Sequence, residues 1–177
     1  MRPDLHSFKN IHAHSELGPD TVTSISPCAN IATEQGSAWY SVGIHPWDTD
    51  RQISDDTWTR LAERLSDPRV VAVGECGLDA LRGGDAVIQE QIFLRHIELA
   101  EQAGLPLIIH CVRRFGRLME LRKSHGAGQW IVHGFRGKPE LARQLAAMNI
   151  GISLGPDTPR SKYPAVADDL IFYETDK

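Results

Sequence analysis

Six residues of metal-ligating type recur along the chain, each after a short apolar run. His12 and His14 stand in N-I-H-A-H, Glu75 in V-V-A-V-G-E and His110 in L-P-L-I-I-H. His133 closes W-I-V-H, and Asp176 lies in L-I-F-Y-E-T-D. Residues two apart on a strand face the same side, so His12 and His14 can turn two nitrogens toward one ion. A lone H-x-H pair also fits satisfied core histidines. Glu75 shifts the balance, because a carboxylate ending an apolar strand is costly to bury without a cation or hydrogen bonds. A central carboxylate can bridge two ions, and His110 and His133 can complete the second. Asp176 can complete the first and accept a proton from the attacking water. Two ions ~3.5–4 Å apart make water acidic near neutral pH and stabilise both oxygens of an in-line displacement. Imidazole and carboxylate suit zinc, manganese, nickel or iron better than calcium. The expected cofactors are therefore two divalent ions, with magnesium also in the range and the identity left open.

These residues need elements to position them. Short apolar runs bounded by turn signals predict strands over 8–13, 22–27, 39–44, 70–74, 106–109, 129–132, 149–154 and 170–173. Helical patterns fall between them. Residues 55–65 put Trp58, Leu61 and Leu65 on one face, with Ser54 as N-cap. Residues 87–103 carry Ile88, Ile92, Ile97 and Ala100 and stop at Gly104. Residues 138–148 start with Pro139 near the first turn and place Leu141, Leu145 and Met148 in a stripe. Alternating strands and helices imply an α/β fold with a parallel sheet. Eight strands predict a (β/α)8 TIM-type barrel, in which functional residues sit at the carboxyl ends of strands. Such barrels typically take ~250 residues. At 177 residues the chain predicts a compact version, one domain over 1–177, with its final outer helix missing or truncated.

Composition narrows the class. The chain is 41% hydrophobic and 24% charged, which supports a real core, and no stretch is apolar enough for a membrane span. Cys28, Cys76 and Cys111 form no C-x-x-C pair and read as reduced, buried thiols, so a cytoplasmic location is expected. The net charge of -4 hides an asymmetry: residues 107–162 carry ten Lys/Arg against three Asp/Glu. That segment either steers an anionic ligand or covers solvated helix faces.

Taken in order, N-I-H-A-H, V-G-I-H-P at 42–46, V-G-E-C-G-L-D at 73–79, P-L-I-I-H at 106–110, H-G-F-R-G at 133–137 and E-T-D at 174–176 resemble the motifs of the TatD family. The match runs from about residue 8 to 177. The resemblance implies a TIM-barrel metal-dependent hydrolase of the amidohydrolase superfamily, with deoxyribonuclease activity in several members. It implies that His12, His14, Glu75 and Asp176 hold one metal, that Glu75, His110 and His133 hold the other, and that Asp176 assists the attacking water. Three departures bear on substrate range. Asn10 stands where the family commonly has Asp, A-L-R-G-G-D follows G-L-D in place of an aromatic residue, and 155–162 is compact with the chain stopping after E-T-D-K.

Other residues carry weaker signals. Arg113 and Arg136 follow His110 and His133 by three positions and are candidates to clamp phosphate oxygens, or are surface charges. His45 is a third such candidate, or holds its loop by hydrogen bonding. Asp79 reads as a loop cap, and Glu174 as structural. Trp47, Trp58 and Trp130 read as core or shelf residues rather than base-stacking platforms. The expected function is a two-metal phosphodiesterase acting as a monomer on DNA or short nucleic-acid fragments, with Glu75 and Asp176 catalytic. One alternative is an amidohydrolase cleaving a small amide, lactone or ester, often built on a carboxylated Lys that no strand end here offers. The other is a metal-binding protein without turnover.

Overall fold

In a computed structural model of the chain, residues 2–29, 38–126 and 128–177 are described. Eight strands run β1 (Asn10–Ala13), β2 (Thr21–Ile25), β3 (Trp39–Val42), β4 (Val70–Asp79), β5 (Leu107–Val112), β6 (Trp130–Val132), β7 (Ile150–Leu154) and β8 (Ile171–Tyr173). Each pairs in parallel with the next, in the order β1 to β8. The sheet curls into a nearly closed barrel. Its last seam is joined by backbone bonds just beyond the strands: Asp176 donates its N–H to the His12 carbonyl, and His14 and Ser15 both donate to the Lys177 carbonyl.

Four α-helices follow β3 to β6: α1 (Asp55–Arg64), α2 (Ala86–Ala103), α3 (Phe115–Ser124) and α4 (Pro139–Ala146). Three lie where the sequence predicts them, with the expected signals in use. The Ser54 hydroxyl accepts the Thr57 N–H at the start of α1, and Gly104 closes α2 in a left-handed conformation. Pro139 opens α4. The sequence reading had no counterpart to α3, whose N-cap is Arg114 with no side-chain capping bond. Its helix signal is confined to Leu118 and Leu121 turned inward. Helices do not alternate with every strand. Among the described residues none follows β1 or β2, and two short 3-10 turns stand between β7 and β8.

Two apolar layers result. Ile11, Val22, Val71, Ile108, Ile131 and Phe172 come from strands alone and fill the barrel interior, closed below by Leu5 and Phe8. A second cluster joins the outer strand faces to helix residues such as Leu61, Phe93, Leu118 and Leu145. Burying each such side chain contributes roughly 1.5–3 kcal/mol before entropy is counted. Of the cysteines, Cys76 and Cys111 are buried but Cys28 is exposed, in the turn after β2. No described helix is long and apolar enough to cross a membrane.

One histidine is part of this core. His96 on α2 is fully buried and edge-on to Trp58. Its Nε2 accepts the Ile44 N–H at 3.0 Å, so the proton sits on Nδ1, which meets the Ile92 carbonyl at 2.8 Å. Burial pushes its pKa down from 6.5 to about 4. The unfolded chain therefore binds a proton that the folded chain refuses between those values, so this contribution is intact above pH 6.5 and is lost as pH falls toward 4. Urea unfolding across this window should show the wild-type chain losing about 3 kcal/mol more than His96→Gln. Parallel pH profiles for the two proteins would contradict this.

Candidate metal centre

β4 is the axis of the site. The sequence predicts a strand ending at Gly74, with Glu75 just beyond it. Instead β4 continues to Asp79 and carries Glu75 in its middle. The extension depends on two glycines with positive φ. A Cβ at Gly74 would collide with the Ile108 carbonyl oxygen, and one at Gly77 with that of His110. The ladder with β5 shifts register between Val73 and Cys76, so the bulge falls at Glu75. His110 likewise lies within β5. His133 follows β6 directly, and Asp176 comes three residues after β8.

The six expected ligand residues meet around one carboxylate. Glu75 Oε1 lies 2.8 Å from His133 Nε2, 2.9 Å from His110 Nδ1 and 2.8 Å from His45 Nε2. Glu75 Oε2 is 3.3 Å from His12 Nε2 and 3.5 Å from His14 Nε2, and Asp176 Oδ1 is 3.4 and 3.5 Å from the same two nitrogens. Ligand atoms each ~2.0–2.2 Å from one ion stand ~3.0–3.5 Å from one another, and this set has that spacing. Buried polar atoms are normally hydrogen-bonded. Here both ring nitrogens of His12 and Glu75 Oε2 are buried without a hydrogen-bond partner. A divalent cation supplies the partner that His12 Nε2 and Glu75 Oε2 lack, so the donor set fits a metal.

Within the cluster the carboxylates and imidazoles compensate one another's charge. Burial alone would raise Glu75, but the charge of His133 beside it and the close imidazoles of His110 and His12 hold it far below the carboxylate range. Burial opposes charge on His133, yet Glu75 outweighs it and lifts the imidazole to about 10. The adjacent His12 and His14 imidazoles lower Asp176, and Asp176 in turn raises His14. The charged groups thus hold one another.

Of the three histidines on Glu75 Oε1, His45 and His110 have different roles. His45 Nδ1 accepts the Trp47 N–H at 3.1 Å, so its Nε2 carries the proton and donates it to Glu75. His110 Nε2 instead faces Asp79 Oδ2 at 2.9 Å. A proton held there leaves the Nδ1 lone pair free for a cation. His45 therefore orients the carboxylate, whereas His110 offers itself as a ligand.

Two residues that the sequence read as structural also reach the site. Asp79 does cap its loop through the Leu81 and Arg82 N–H groups, but it also holds His110. Its signal was present: in a strand of period two, residues 75, 77 and 79 share a face. Glu174 is buried, accepts the Gly134 N–H at 2.7 Å and lies 3.7 Å from His133 Nδ1. Asn10 has a defined task as well. Its Oδ1 accepts the His12 and Thr175 N–H groups, and its Nδ2 donates to Glu16 and Thr175. Asn10 thereby ties the first strand to the segment that carries Asp176. An Asp at that position would set two carboxylates together.

The cleft above Glu75 has a volume of ≈ 380 Å³ and is walled by His14, Ser24, His45, Trp47, His110 and Asp176. Arg113 and Arg136 are exposed and line no part of it. Much of the basic segment serves the fold: Arg117 pairs with Glu90 and Glu120, Arg160 pairs with Asp168, and Arg122 bonds the Gly126 and Gly128 carbonyls. Trp58 and Trp130 are core residues, whereas Trp47 is exposed at the rim.

Residues 12–177 match the family model described as TatD related DNase. The chain belongs to this family. It is 32% identical over 164 residues to a 3'-5' ssDNA/RNA exonuclease TatD of Cronobacter turicensis, a match covering 84% of the chain and 60% of that protein. A metal-dependent hydrolase of Bacillus subtilis, YabD, is 30% identical, with 86% and 64% covered. The crystal structure of YJJV, a TatD homologue from Escherichia coli, superposes with a TM-score of 0.72 at 25% identity, covering 88% of this chain and 66% of that one. The chain thus spans under two thirds of the length of these curated relatives.

The unpartnered cluster should respond to metal directly. Zinc or manganese at about a hundred times its dissociation constant stabilises by about 2.7 kcal/mol, which raises the melting temperature by on the order of 5–10 °C. His12→Ala and Asp176→Ala should lose most of this rise. An equal rise in both variants would remove the metal assignment.

Proposed function

We propose that residues 1–177 form one hydrolase barrel domain that cleaves phosphodiester bonds in single-stranded nucleic acid. The observation that carries this is the buried Glu75 carboxylate, ringed by imidazoles whose spacing to Asp176 fits a cation. Support for the substrate comes from the TatD relative named as a 3'-5' ssDNA/RNA exonuclease. In this reading His12, His14, Glu75 and Asp176 hold one divalent ion, and Glu75, His110 and His133 hold a second. Bound there, the ions supply Lewis-acid stabilisation of the phosphoryl group and make water acidic enough to deprotonate near neutral pH.

The chain's own groups do the rest. Asp176 is 44% exposed at the cleft, and its carboxyl is kept ionised by His12 and His14. It takes the proton as water attacks phosphorus and the P–O bond to the departing sugar breaks, and that sugar oxygen is reprotonated from solvent. Asp176 adopts φ 54°, uncommon outside glycine but tolerated by Asp, and its N–H bond to His12 keeps it there. His45 steadies Glu75, and Asp79 sets the His110 ring. Every group of the site comes from one chain, so no second copy is required.

Asp176→Asn should lower kcat on a labelled single-stranded oligonucleotide by about 10²–10⁴-fold while circular dichroism stays unchanged. Glu75→Ala should abolish cleavage and metal binding together. Turnover near the wild-type rate in either variant would defeat the mechanism.

A further inference from the structure

Trp47 has an exposure that neither metal binding nor folding explains. It follows His45 in the 3-10 turn Pro46–Asp50 and lines the cleft alongside Glu75, yet 44% of its surface is open to solvent. Of the large apolar residues exposed on the described surface, it alone lines this cleft. A ring left in water for no purpose forgoes burial free energy.

The ring is also held rigidly. Its Nε1–H donates to Asp79 Oδ2 at 2.7 Å, a charge-assisted bond. The Arg82 guanidinium sits over its face, 4.3 Å from the centroid. His45 and His110 meet it edge-on, with centroids 4.8 and 5.8 Å away. An indole fixed by four neighbours loses little further freedom when a flat ligand stacks on it. One imidazole separates Trp47 from Glu75, much as one sugar separates a base from its phosphate. Arg82 adds positive charge beside the indole, where a polyanion would pass.

We propose that Trp47 is the stacking platform for the nucleobase next to the scissile phosphodiester. The proposal rests on the phosphodiesterase reading above. It makes the enzyme discriminate nucleotides from phosphodiesters without a base. It also favours unpaired ends, because a base inside a duplex already has both faces stacked.

The test uses the metal-loaded enzyme and two single-stranded oligonucleotides, one unmodified and one with tetrahydrofuran abasic units at its last two 3' positions. Wild-type kcat/KM should fall on base removal by about 5- to 150-fold, the span that stacking of one base covers. In Trp47→Leu the two substrates should become nearly equal, and Trp47→Phe should restore part of the preference. A structural role exercised through Asp79 would slow both substrates by the same factor and keep their ratio, which would overturn the proposal. So would a wild-type enzyme indifferent to the base. Binding of AMP against ribose 5-phosphate, measured by calorimetry on the same proteins, needs no turnover. Tighter AMP binding that is lost in Trp47→Leu, with no cleavage by wild type, would uphold stacking and sink the phosphodiesterase reading alone.

Discussion

A carboxylate buried in the mouth of a barrel is the constraint that organises this molecule. Glu75 is 4% exposed, and an ionised carboxylate there is tolerable only with compensation from every side. Three strands, β1, β5 and β6, and the loop after β3 bring imidazoles to it. Those imidazoles crowd one another, so each needs an anchor of its own. Asp79 and Asp176 provide two, and Glu174 lies behind His133. The centre is thus a set of mutually dependent charges, and removing one member leaves others buried and unpaired.

Metal affinity and barrel closure are linked by the same geometry. Asp176 reaches His12 and His14 only because the segment after β8 is bonded to β1 and to the turn that follows it. Asn10 is the hub of that seam, with bonds to His12, Glu16 and Thr175. A residue that departs from the common family pattern therefore positions His12 through its backbone and Asp176 through its neighbour Thr175. The departure is consistent with Glu16, whose carboxylate accepts a donor from Asn10 where an Asp would offer a second negative charge.

The β4–β5 pair shows how backbone choice becomes chemistry. Gly74 and Gly77 let β4 lie against the Ile108 and His110 carbonyls, which no residue with a Cβ allows. The strand can then bulge at Glu75 and still continue to Asp79. In this way one strand supplies both the central carboxylate and the group that fixes the His110 ring. Trp47 joins the arrangement through Asp79, so the rim of the cleft is mechanically tied to its floor.

Much of this was legible in the residues themselves. Hydrophobic period and turn signals placed eight strands and three helices, because burial of apolar faces is dictated locally. The clustering residues were legible for a related reason: a His or a carboxylate after an apolar run has few cheap explanations. Helix α3 escaped because its N-cap carries no capping side chain and its buried face is only two leucines wide. The loop-holding bonds of His45 and Asp79 were expected, but the contacts of His45 with Glu75, Asp79 with His110 and Glu174 with His133 escaped because they depend on which ring nitrogen meets which oxygen. That is set by the curl of the sheet, as was the exclusion of Arg113 and Arg136 from the cleft. Local spacing determines what kind of residue stands at each strand. Only closure of the barrel decides which of them share an atom, since residues 165 apart meet solely where the first and last strands come together.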